Sequence, residues 1–263
     1  MRNSTLLKTA LKKGLTAANI DLETSPYLSW HYPMWDVNIG YDCIEVPMQV
    51  TSIGWLDLNT RELVVEGWEY PKDKLGILKK DKDRKLLTEA VEKLNKYDLL
   101  IGQNLDSYDI KVLNWRLNEL DLPALKNIVT IDTLKMSKKV FRPPSHKLDY
   151  KSLTYGKGGK IPQTMQDCIA VAKGDSKKQA LRMKYNGKDC LDADSMMWKE
   201  IDYWQLPKSM IKMLKEYVKE DKPFCVKCAA RRQKRFEVNR VKIKHEFKYQ
   251  CQNCDSIWKI KRA

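Results

Sequence analysis

The chain has 263 residues, 49 of them Lys or Arg against 34 Asp or Glu, with a formal net charge of +15. That length accommodates one large domain and one small one, and the basic excess points to a polyanionic partner such as nucleic acid rather than a cationic one. No apolar run approaches the length that spans a membrane, and the seven cysteines, four of them in two Cys-x-x-Cys pairs, read as a metal site in a reducing compartment rather than a disulfide framework.

Met1 to Gly14 is basic and lacks acidic residues, but it holds no apolar core of signal-peptide length. Thr16 to Glu23 reads as a first strand, with Thr-Ala-Ala-Asn-Ile a weakly apolar start. Asp21 and Glu23 lie two apart near its end, so both side chains face one way, at the strand terminus where open α/β sheets place their ligands. Residues 24–49 form a long connection containing Tyr27, Trp30, Tyr32, Trp35 and Tyr41. Such rings either stack on unpaired bases or pack the loop onto its domain, with Trp30 to Trp35 the best placed to reach a substrate. Val50 to Leu58 and Leu63 to Trp68 read as two strands joined by a turn at Asn59-Thr60.

Arg84 to Lys96 has helical spacing at Leu86, Leu87, Ala90, Val91 and Leu94. Leu99 to Ile101 is a short buried-type strand, and Asp109 opens a helix that runs to Leu120. Ile128 to Ile131 is a fifth strand, and Asp132 is placed to cap the next helical segment. Further helices are expected at about 148–155, 164–173, 177–200 and 207–220. His146 and Lys147 sit in a loop entering the first of these, where they either touch phosphate or are solvated. On the 177–200 helix Tyr185 lies one turn before Asp189, on the same face. Three strands, then helix, strand, helix, strand and more helices describe an α/β fold with a mixed five-stranded sheet.

Charge divides the chain unevenly, with 13 Lys and Arg against 4 Asp and Glu in residues 221–263. The polar stretch Lys219-Glu220-Asp221-Lys222-Pro223 marks a boundary between domains at 1–220 and 221–263. In the second, Cys225, Cys228, Cys251 and Cys254 supply four thiolates, a donor set that suits one tetrahedral, structural Zn²⁺. A segment this short needs such a staple to fold. Between the hooks, apolar residues from Val241 to Tyr249 alternate with Lys242, Lys244 and Lys248, as in a strand with one basic face; Arg231, Arg232, Lys234 and Arg235 add a cationic cluster. The module resembles a zinc ribbon. Phosphate binding that adds affinity without sequence choice is the preferred role, and protein docking is the alternative.

Asp21, Glu23, Asp109 and Asp189 could be ordinary surface acids, but each sits on an element that suits a ligand. Carboxylates converging from distant segments repel unless divalent cations hold them. The segments resemble the three motifs of the DnaQ-like (DEDD) 3′–5′ exonucleases, whose fold is ribonuclease H-like. Asp21-Leu22-Glu23-Thr24-Ser25-Pro26 is similar to the first, Asn104 through Tyr108-Asp109 to the second, and Tyr185 to Asp189 to the third in its tyrosine variant. The resemblance extends over residues 16–200. It implies two Mg²⁺ or Mn²⁺ ions on the four carboxylates, water positioned by Tyr185, and hydrolysis of the phosphodiester at a nucleic-acid 3′ end, DNA ahead of RNA. Asn104, Tyr108, Lys147, Trp30, Tyr32 and Trp35 are then candidate contacts to a single strand or 3′ end. The reduced-type cysteines point to the cytoplasm of a bacterial or virus-infected bacterial cell, and similar free-standing exonucleases of bacteria and their viruses imply replication or repair proteins as partners in trans. The alternatives are a non-catalytic nucleic-acid-binding or recruitment protein on a nuclease fold and a structure-specific endonuclease.

Overall fold

A computed structural model describes residues 1–30, 39–70, 79–126, 128–159 and 161–218, together with the backbone of strands 233–237, 246–251 and 257–261. Thr16–Gln205 forms one compact unit; Met1–Leu15 and Leu206–Ala263 form another. In the second unit α1 (Asn3–Lys12), a helix with no counterpart among the elements expected from the sequence, packs on α8 (Lys208–Val218).

The larger unit is built on β1 (Ala17–Thr24), β4 (Val50–Asp57), β5 (Leu63–Gly67), β6 (Leu99–Gly102) and β7 (Val129–Asp132). They form one sheet in the order β5-β4-β1-β6-β7. β1 pairs antiparallel with β4 and parallel with β6; β4–β5 is antiparallel and β6–β7 parallel. This is the mixed five-stranded sheet expected from the sequence. A short ribbon, β2 (Leu28–Ser29) with β3 (Ile44–Val46), lies in the aromatic connection.

The weakly apolar first strand has a physical explanation. Its side chains alternate between two faces. Ala18, Ile20 and Leu22 join the main core with Leu87, Ala90 and Val91 of α2 (Arg84–Leu94) and with Val112, Leu113 and Leu117 of α3 (Asp109–Glu119). Asn19, Asp21 and Glu23 take the opposite face, over which α7 (Ser176–Glu200) lies. Only half the strand therefore needs to be apolar. Gly54 faces Asp21 across the β1–β4 ladder. A Cβ there would stand 2.3 Å from Asn186 Oδ1 and 3.0 Å from Cys190 Sγ, so the glycine lets α7 settle onto the sheet.

Three shorter helices complete the unit: α4 (Thr133–Val140), α5 (Leu148–Thr154) and α6 (Met165–Ala172). Asp132 caps α4 as expected, its Oδ1 accepting from the Lys135 amide at 3.1 Å. Beneath the sheet the fully buried Arg116 forks onto Asp83, Nε to Oδ2 at 2.9 Å and Nη2 to Oδ1 at 2.6 Å. Asp83 also accepts from the Val50 amide at 3.0 Å, so this ion pair joins α3 to the start of α2 and to β4. In the other unit, β8 (Gln233–Glu237), β9 (Glu246–Cys251) and β10 (Ile257–Lys261) form an antiparallel sheet in the order β10-β9-β8.

Candidate active site

The C-terminal half of β1 and the middle of α7 bring three of the predicted acids together. Ligand-capable oxygens of Asp21, Glu23 and Asp189 all lie within 4.8 Å of one another. The i, i+2 spacing puts the first two on one strand face, and α7 lowers Asp189 onto that face from above. Asp109, at the first turn of α3, is nearly fully buried, and its Oδ1 accepts from the Leu22 amide at 3.2 Å. It therefore approaches β1 from beside the three-carboxylate group without being part of it. Burial pushes its carboxyl up to about 7, hydrogen bonds from Leu22 and its own amide oppose this, and the charges of Glu23 and Asp132 add to it.

Two residues that are not among the sequence candidates anchor this group. Asn186 donates from Nδ2 to Asp21 Oδ2 at 2.8 Å. Arg182 donates from Nη2 to Glu23 Oε2 at 2.7 Å and to the Thr24 carbonyl at 2.8 Å. The sequence does carry a signal for them: residues 182, 186 and 189 share one face of a helix, and a basic residue there stands among acids. Tyr185 is half-buried on α7, one turn before Asp189.

A cavity of about 580 Å³ opens at the carboxylates, lined by Asp21, Asp189, Gln103, Lys138, His146 and Lys147 among others. Lys147 thus reaches the same cavity as the acids, and Lys138, unremarked in the sequence, joins it. The His146 imidazole is shifted below its ordinary value by burial and then by the charges of Lys151 and Lys138, which favours its neutral form at neutral pH. Gln103 holds this loop by donating to the His146 carbonyl at 3.1 Å.

The loop before α3 is set by Asn104, whose φ of 62° lies in the left-handed region and whose carbonyl accepts from the Ser107 and Tyr108 amides. The half-exposed Tyr108 meets the Thr24 hydroxyl at 3.0 Å, which ties this loop to the end of β1. In the aromatic connection Trp30 is 71% exposed and Tyr41 90%; Trp30 donates from its indole to Glu45. Tyr32 and Trp35 lie outside the described residues, as do Cys225, Cys228, Cys254, Arg231, Arg232, Lys242 and Lys244. Lys234 and Arg235 fall on β8, and Lys248 and Cys251 on β9.

The donor set is uniform: three carboxylates with no sulfur or imidazole among them. Hard oxygen donors of this kind suit Mg²⁺ or Mn²⁺, and their mutual repulsion makes the group costly without a positive partner.

Residues 59–185, just under half of the chain, match the exonuclease domain of DNA polymerase family B. The matched stretch contains Asp109 and Tyr185; Asp189 lies four residues past its end, and Asp21 and Glu23 lie well before its start. Among solved structures the chain is similar to the family B DNA polymerase of the hyperthermophilic archaeon Pyrobaculum calidifontis. The identity is 14% and the TM-score 0.47, over 71% of this chain and 24% of the polymerase. No curated protein matches the chain.

Proposed function

We propose that the protein is a metal-dependent 3′–5′ exonuclease that hydrolyses the terminal phosphodiester of a nucleic acid, DNA ahead of RNA. The observation that carries this reading is the convergence of Asp21, Glu23 and Asp189 within 4.8 Å, beside a cavity that two lysines line. Similarity to a polymerase exonuclease domain supports DNA as substrate and 3′ to 5′ as direction.

Asp21, Glu23 and Asp189 would hold two Mg²⁺ or Mn²⁺ ions, with Asp109 contributing from α3. Bound ions would supply an acidified water and stabilisation of the leaving 3′ oxygen. The chain's own residues do the rest. Asn186 keeps Asp21 turned toward the cluster. Tyr185 orients the attacking water, and Lys147 and Lys138 draw the backbone phosphates into the cavity. Trp30 and Tyr108 offer exposed rings on which unpaired bases stack. Stacking and phosphate contact are indifferent to sequence, as a general exonuclease requires.

For the C-terminal region we keep the division at residue 220 and a Zn²⁺ on Cys225, Cys228, Cys251 and Cys254. The three-stranded antiparallel β8-β9-β10 sheet supports a ribbon-type module, and the basic excess of residues 221–263 supports phosphate binding. Action in the cytoplasm on 3′ ends delivered by replication or repair proteins is part of this reading.

The test is purified protein with Mg²⁺ or Mn²⁺ on single- and double-stranded DNA and RNA labelled separately at each end. Loss of mononucleotides from the 3′ end is expected, abolished by EDTA and reduced by about three orders of magnitude in Asp21→Asn and Asp189→Asn, with binding retained. One observation favours a second reading: an Arg182–Glu23 ion pair inside the acidic group also suits a non-catalytic nucleic-acid binder. That reading predicts binding without cleavage under every metal condition. Cutting of a circular single strand would instead indicate an endonuclease.

A further inference from the structure

We infer that Arg182 is the built-in counter-cation of the carboxylate cluster, a positioning residue that pins Glu23 and sets how tightly the site takes divalent ions. This rests on the proposed metal site. The Arg182 side chain is 6% exposed and that of Glu23 15%. Every nitrogen of the guanidinium is used. Nε donates to Thr51 Oγ1 at 3.2 Å, Nη1 to Gln163 Oε1 at 3.1 Å and to Cys168 Sγ, and Nη2 to Glu23 Oε2 at 2.7 Å and the Thr24 carbonyl at 2.8 Å. Among these partners only Glu23 carries a formal charge. Among the described residues, the charged partner of this buried guanidinium is therefore a residue that also belongs to the metal-ligand group.

The chemistry has two consequences. Three carboxylates within 4.8 Å repel one another, and a fixed positive charge on one of them offsets part of that repulsion, so the site stays assembled before any ion enters. The same charge opposes an incoming dication and holds Glu23 on one oxygen, so affinity is lower than unencumbered carboxylates would give. Weak, exchangeable ions suit a site that must take a charged phosphate and then release it. The planar fork also fixes the direction of Glu23 as it leaves β1, because Arg182 binds the strand at Thr24 and the neighbouring strand at Thr51.

The test is thermal unfolding of the full chain, metal-free in EDTA and across a titration with Mn²⁺ alone, for wild type and four variants. Neutralising Asp189 relieves repulsion within the three-carboxylate group, so Asp189→Asn should lower the metal-free Tm less than Glu23→Gln does. Glu23→Gln should lower it by several degrees, because it strips a buried guanidinium of the carboxylate that is its charged partner among the described residues. Arg182→Gln should take Mn²⁺ roughly tenfold more tightly than wild type. Arg182→Lys, which keeps the charge but loses the fork, should stay near wild-type Mn²⁺ affinity with a lower metal-free Tm. A Glu23→Gln protein as stable as wild type without metal overturns the inference. So does an Arg182→Gln protein that binds Mn²⁺ no more tightly. If Arg182→Gln does not fold, the size of the Glu23→Gln shift against Asp189→Asn decides. A wild type whose Tm ignores Mn²⁺ sinks the metal-site reading itself, which the variant comparisons do not.

Discussion

Glu23 has a cation on one side and carboxylates on the other, whereas Asp109 is buried against the end of β1. Burial makes the protonation of Asp109 a stability matter. With Asp109 pushed up to about 7 from an ordinary value of 3.8, the folded metal-free protein retains a proton that the unfolded chain has released. Stability therefore falls as pH rises from about 4 to about 7 and levels off above that, a loss of roughly a few kcal/mol. Melting curves in EDTA between pH 5 and 8 should show this slope, and Asp109→Asn should flatten it. Tyr185→Phe should reduce the rate of cleavage by roughly ten- to a hundredfold while leaving the Mn²⁺-induced rise in Tm intact, a pairing that separates water positioning from metal binding. Asp21, Glu23 and Asp189 can be nominated from sequence because strand alternation and helical spacing fix side-chain direction locally. Arg182 and Asn186 lie on the same helix face yet escape nomination, because spacing says which face a residue shares and not which partner it finds.

At the scale of elements, the site depends on how closely α7 approaches the sheet. Gly54→Ala would drive a methyl group into Asn186 and Cys190. It should cost about 1–3 kcal/mol and weaken the Asn186–Asp21 hydrogen bond, read as a lower Tm together with reduced cleavage. The Arg116–Asp83 pair does comparable work on the other face, fastening α3, which carries Asp109, to β4 and α2. Arg116→Met leaves Asp83 buried without its cation and should destabilise by roughly 3–5 kcal/mol, measured by urea unfolding. Most element boundaries are readable from periodicity to within one or two residues, since a strand or helix with one buried face writes its period into its own sequence. The short β2–β3 ribbon and α1 are not. The ribbon is held by few pairings, and α1 has only three buried apolar residues to advertise it, Leu6, Leu7 and Ala10.

For the whole molecule, net charge makes a prediction that no single residue does. If residues 221–263 bind phosphate, affinity for a single strand should fall steeply with salt, and deletion of 221–263 should both weaken binding and flatten the slope of log K against log salt. An unchanged slope would assign the segment to protein docking instead. The purified chain should carry one Zn²⁺ by elemental analysis, and Cys225→Ser should lose it while leaving the Mn²⁺ response of the 16–205 unit in place. The four cysteines are legible as one candidate site because Cys-x-x-Cys hooks are local; the basic surface that would accompany them is a property of many residues together.

The sequence by itself determined that Asp21 and Glu23 leave one face of β1. It also determined the order of the main strands and helices and the cap at Asp132, since each of these is decided by neighbours within a turn or two along the chain. Only the tertiary structure decided that Arg182 meets Glu23, 159 residues away, that Asn186 meets Asp21, 165 residues away, and that Lys138 and Lys147 line the cavity where Asp21 and Asp189 converge. Those pairings depend on where a helix comes to rest on a sheet. Packing sets that position through features such as the missing side chain at Gly54, and a charged residue's own identity does not name the partner that packing will bring to it.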